Sequence, residues 1–93
     1  MIDVVRLLNS IGKKIFINYY KDFKNVSDKK ALAIKLLREN PNASTLTGQI
    51  TRISCAVRIF DNQLQIEALN IIINARLDDA TITKAKKLKA LEI

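Results

Sequence analysis

Apolar residues recur at helical steps of three and four through almost the whole chain, and period-two alternation never persists. A half-buried strand needs an apolar residue at every second position, so this pattern argues against a sheet. With two Gly and one Pro in 93 residues, few breaks are written into it. We expect an all-α fold: residues 1–93 as a single small domain of about five short helices packed as a compact bundle. Nothing reads as a linker, a repeat or a low-complexity tract.

The first helix is expected over Asp3–Lys24. Val4, Leu8, Ile11, Ile15 and Tyr19 share one face, widened by Val5, Phe16 and Phe23, and Arg6, Lys13 and Lys24 lie roughly opposite. Ser10-Ile11-Gly12 offers a break, because Gly weakens a helix interior by about 1 kcal/mol relative to Ala. Ser27 or Asp28 caps a second helix, which ends near Asn40 where Pro41 disfavours helical geometry. Its run Ala31-Leu32-Ala33-Ile34 with Leu36-Leu37 is apolar nearly all round, the pattern of a central, buried helix.

Ser44 or Thr45 opens a third helix reaching Phe60, with Leu46, Ile50, Ile53, Val57 and Phe60 as its inward stripe. The fourth, Gln63–Leu77, carries Leu64, Ala68, Ile71 and Ala75 on one face and Ile66, Leu69, Ile73 and Leu77 on nearly the opposite one. Such a helix is either sandwiched within its own chain or meets a second copy. The second alternative is the expectation: a homodimer with Ile66, Leu69, Ile73 and Leu77 as its contacts. Asp78-Asp79 caps a last helix ending near Leu91, where Ile82, Ala85, Leu88 and Leu91 step by threes and drift around the axis. Loose packing or fraying is expected there.

Sixteen Lys and Arg against nine Asp and Glu give a net charge of +7, which favours polyanionic partners. His is absent, so the commonest general base, the commonest zinc ligand and every Ser–His or Cys–His nucleophile pair are missing. The single cysteine, Cys55, makes neither an internal disulfide nor a thiolate metal cage. No Gly-rich phosphate loop occurs. A non-enzymatic protein is expected, without cofactor, metal or small-molecule substrate. The N-terminus lacks the features of a signal peptide, and no apolar run exceeds four residues against the ~20 that span a bilayer. A cytoplasmic protein with no membrane association follows as the expectation.

The third helix is the leading functional candidate. No acidic residue occurs from Asn40 to Phe60. With the apolar stripe turned inward, the outer side presents Gly48, Thr51, Arg52, Cys55 and Arg58, while Ser44, Thr45 and Thr47 crowd the N-terminus. A helix of this kind enters a major groove, with Arg52 and Arg58 on bases or phosphates and the N-terminal hydroxyls on a phosphate. The same residues also describe an ordinary amphipathic helix with two solvated arginines. The tight glycine turn of a helix-turn-helix is missing, so no family is assigned.

Two basic segments flank this candidate. Between Lys13 and Lys24, lysines interleave with aromatic residues, which suits single strands that stack on rings. Phe16, Tyr19 and Phe23 nevertheless belong beside the apolar stripe, and Tyr20 is expected to be the most accessible ring. Lys84, Lys86, Lys87 and Lys89 crowd the last helix, where they oppose its dipole and equally serve as phosphate anchors. The candidate nucleic-acid contacts are Thr45, Thr47, Thr51, Arg52, Arg58, Lys13, Lys24, Lys84 and Lys87, with DNA favoured. The alternative is a protein-interaction module, an inhibitor, antitoxin-like partner or adaptor that docks on an acidic protein.

Overall fold

A computed structural model describes residues 2–40 and 45–92. Among the described residues the regular structure is entirely helical: α1 Val4–Ile11, α2 Lys13–Asn18, α3 Tyr20–Lys24, α4 Lys29–Glu39, α5 Leu46–Asp61, α6 Gln65–Ile73 and α7 Asp79–Glu92. Five of these seven have eight or more residues, and α2 and α3 are short. No described helix is long and apolar enough to cross a membrane.

Side-chain caps explain where four of the helices begin. Asp3 accepts from the Arg6 N–H at 3.1 Å, and Asp28 from the Ala31 N–H at 3.1 Å. Thr45 Oγ1 accepts from the Gly48 N–H at 2.9 Å. Asp78 accepts both the N–H and the hydroxyl of Thr81, at 3.0 and 2.8 Å. Each cap satisfies a first-turn donor that has no partner inside its helix. Pro41 and Ser44, expected to stop one helix and open the next, lie outside the described residues.

The long first helix is three helices. Gly12 has φ +92°, a conformation open to glycine and strained for other residues. Its N–H closes α1 on the Leu8 carbonyl at 2.7 Å, and its own carbonyl accepts from Phe16 at 2.9 Å to start α2. A second, unexpected break falls at Tyr19, with φ −116° and ψ 24°. That break overturns the expectation for Tyr20, because a helical wheel does not carry across it. Tyr20 is buried at 3% exposure, edge-on to Phe16 and Phe60 with ring centroids 5.4 and 5.1 Å away. The half-buried Tyr19 takes the outer place, its hydroxyl donating to Glu39 Oε1 at 2.8 Å.

The centre of the fold is α5. Its sixteen residues rise roughly 24 Å at ~1.5 Å each, against a longest molecular dimension of 31 Å. Helices α1, α3 and α4 pack on it. Around it Leu8, Ile11, Phe16, Ile17, Phe23, Leu36, Ile53, Ile59, Leu69 and Ile72 are fully buried. Each such side chain stabilises the fold by about 1.5–3 kcal/mol. The expected central helix, α4, instead lies at the edge: it buries Leu32, Ala33 and Leu36 on α5 and leaves Ile34 half exposed. Two alanines lengthen its apolar run while adding little surface to hide.

Helix α6 also departs from its expected form. It ends at Ile73, so Leu77 sits in the connection to α7 and leaves the wheel. Ala68, Leu69 and Ile72 are its buried residues. Leu69 is fully buried in the protein's own core, and Ile73 and Leu77 pack half-buried against it. Of the four residues expected at a homodimer contact, Ile66 is the one classed as exposed. The apolar surface that motivated a dimer is therefore largely used within the chain.

Helix α7 is anchored at both ends, contrary to the expected fraying. Lys14 pairs with Asp78 at 3.7 Å at its start. At its end Glu92 pairs with Lys24 and accepts from Gln65 Nε2 at 3.1 Å. Thr81, Ala85 and Leu88 are buried between, as α7 packs on α2 and α6.

Candidate functional site

The buried line of α5 is Gln49, Ile53, Ala56 and Ile59, while Leu46, Ile50, Val57 and Phe60 are half-buried. At 100° per residue this turns the helix roughly 70° from the orientation its apolar stripe predicts. The reason is that α1, α3 and α4 grip α5 from several sides, so its core face is set by three neighbours together.

The rotation separates the two arginines. Arg52 moves to the flank, where it is half-buried and its Nη1 donates to Gln49 Oε1 at 2.9 Å. It supports the buried Gln49 amide and does not point outward. Arg58 stays exposed. Ser54, which the sequence pattern did not single out, emerges beside it. The outward stripe is thus Thr47, Thr51, Ser54 and Arg58, all exposed at steps of four, three and four. Thr45 is also exposed, with its hydroxyl oxygen used in the cap. Thr51 donates its hydroxyl proton to the Thr47 carbonyl at 3.1 Å, leaving the oxygen free to accept.

A second arginine reaches this region from α1. Because α1 packs along α5, Arg6 and Arg58 line one groove of about 310 Å³, together with Ile2, Asp3, Leu7, Ser10 and Cys55. Cys55 is a free, half-buried thiol. Both arginines are exposed. Sequence spacing could not find Arg6, since its partner lies fifty-two positions away on another helix.

The remaining expected contacts are dispersed. Lys13 is half-buried, with its Nζ donating to Asn9 Oδ1 at 3.3 Å. Lys24 is engaged by Glu92. Lys84 and Lys87 are exposed on α7, which packs chiefly on α2 and α6. Lys84 lines a cavity of about 190 Å³ with Ile17, Asn18, Tyr20, Lys21, Asp22 and Leu88. The nine residues thus come from α2, α3, α5 with its cap, and α7.

Charge is mostly unpaired. Among the described residues, three of the sixteen Lys and Arg side chains meet a carboxylate: Lys14 with Asp78, Lys24 with Glu92 and Lys35 with Asp22. The other thirteen have none within ion-pairing distance among the described residues. The Lys24 ammonium holds the Glu92 carboxyl below its ordinary range. The Thr81 hydroxyl, then its N–H, does the same for Asp78. Burial, and then the Glu92 charge, pushes the Tyr20 phenol well up. Tyr19 is raised by burial and by its bond to Glu39. No protein-family model matches the chain, and no curated protein or solved structure matches it.

Proposed function

We propose that this chain is a small, basic, non-enzymatic helical protein that binds nucleic acid, duplex DNA by preference, along the outer face of α5. The observation that carries the proposal is the exposed stripe Thr47, Thr51, Ser54 and Arg58 on a helix with no acidic residue before Asp61. Short side chains let a helix lie close to a groove floor, where hydroxyls serve phosphate oxygens and an arginine reaches a phosphate or a guanine edge. The net charge of +7 supplies the long-range attraction. On duplex DNA each phosphate neutralised releases roughly 0.9 counterion, so affinity falls steeply with salt. Titrating a short labelled duplex at about 50 mM salt tests this. Binding that weakens steeply as salt rises supports the proposal, and no binding to duplex or single strand overturns it.

One observation favours docking on an acidic protein instead. Ile34 is 49% exposed on α4, flanked at four-residue steps by exposed Lys30 and Arg38, neither of them ion-paired among the described residues. An apolar anchor ringed by cations suits an acidic partner surface. Binding to polyglutamate without binding to nucleic acid would select this alternative.

A further inference from the structure

We infer that the groove between α1 and α5 is a phosphate-binding site, which holds one phosphodiester of the bound nucleic acid between Arg6 and Arg58. It rests on the nucleic-acid function proposed above and adds a residue from a different helix. The two arginines line the same groove of about 310 Å³ from two helices, Arg6 on α1 and Arg58 on α5. Neither has a carboxylate within ion-pairing distance among the described residues, so both guanidinium forks are free for phosphate oxygens. Leu7 and Cys55, half-buried, give the groove an apolar lining, which strengthens such contacts relative to open water. Ser10, exposed on the same groove, adds a hydroxyl donor.

The one acidic side chain lining the groove is Asp3, and its Oδ1 is engaged with the Arg6 N–H as the cap of α1. Two guanidinium charges outnumber it. Arg58 also ends the outward stripe of α5, so a sugar-phosphate backbone that follows Thr47, Thr51 and Ser54 arrives at this groove. A carboxylate would also pair with the arginines. The acid-free hydroxyl stripe that leads to them favours phosphodiester.

The test measures duplex affinity against salt for the full chain and for Arg6→Ala, Arg58→Ala and Arg76→Ala. Arg76 is exposed between α6 and α7 and serves as a control for general charge. We expect the slope of log affinity against log salt to fall by about one for Arg6→Ala and for Arg58→Ala, with several-fold weaker binding. Arg76→Ala should keep the wild-type slope. Thermal melts verify that each variant is folded. Cys55 is the chain's single cysteine, so its modification by a soluble thiol reagent reads this groove alone. Saturating duplex should slow that modification several-fold. Duplex binding with an unchanged slope for Arg6→Ala, an equal loss for Arg76→Ala, or an unprotected Cys55 overturns the groove while the nucleic-acid function stands. Protection of Cys55 by polyglutamate but not by duplex reassigns the groove to an acidic peptide. Absence of any duplex binding overturns both proposals.

Discussion

Lys24, the last residue of α3, forms an ion pair with Glu92, 68 residues further on in the last turn of α7. The Glu92 side chain is 8% exposed and also accepts from Gln65 Nε2 at 3.1 Å, so one carboxylate ties α3, α6 and α7 together. Removing it leaves the Lys24 ammonium and the Gln65 amide without their partner. Glu92→Ala should cost about 1–3 kcal/mol, the range for hydrogen bonds to a charged, largely buried group. In a domain of this size each kcal/mol lowers the melting temperature by about 4–8 °C. Calorimetry or a circular-dichroism melt measures the loss, and an unchanged melting temperature would show that the tie contributes nothing.

Stability should depend on pH at the acid and alkaline ends and stay level between. Glu92 and Asp78 have lowered folded pKa values, so the folded state favours their charged forms. Their contribution is complete above the ordinary carboxylate range and is lost as pH falls through the lowered folded values. Tyr20 is raised, so its contribution is complete below the ordinary phenol range, about 10, and is lost as pH rises above it. With no His in the chain, little should change between about pH 5 and 8. In melting curves against pH, Glu92→Gln should flatten the acid limb and Tyr20→Phe the alkaline one.

Arg52 and Arg58 should respond in opposite ways to truncation. Arg52→Ala removes the donor to Gln49 Oε1, and Gln49 is buried. An orphaned buried acceptor costs about 1–3 kcal/mol. Arg58→Ala should change stability by no more than about 0.5 kcal/mol, as surface substitutions without partners do. Urea unfolding of the two variants measures both. Equal stabilities would mean that the Gln49 contact has no weight.

Gly12→Ala should destabilise the chain by about 1–3 kcal/mol, the cost of a non-glycine residue held in a sparsely populated backbone region. Space is not the cause, because an added Cβ would meet Ile15 at an ordinary 3.6 Å. The cost comes from φ +92° itself. A melt that matches wild type would require α1 and α2 to meet at a different angle.

Helix type and most of the caps were legible in the chain, because both depend on residues three or four positions apart. Asp28, Thr45 and Asp78 cap as their spacing predicts, and Gly12 breaks where a missing Cβ makes a break cheap. The break at Tyr19 was not legible. No glycine or proline marks it, and it lies where α2 turns into α3 among the stacked rings of Phe16, Phe23 and Phe60. Three of five residues of the candidate site were likewise readable. Thr47, Thr51 and Arg58 follow from one helix's periodicity and its lack of acid, whereas Ser54 and Arg6 do not.

What the chain alone determined is its all-helical architecture, its basic surplus and the acid-free span of α5, since propensity, charge and short-range spacing are local properties of sequence. What only tertiary structure decided is which way each helix turns. The packing of α1, α3 and α4 around α5 rotated Arg52 onto Gln49 and left Arg58 free. The same packing drew Leu69 into the core and set Arg6 across a groove from Arg58. Burial is maximised over all helices at once, and no single helix carries that information in its own periodicity.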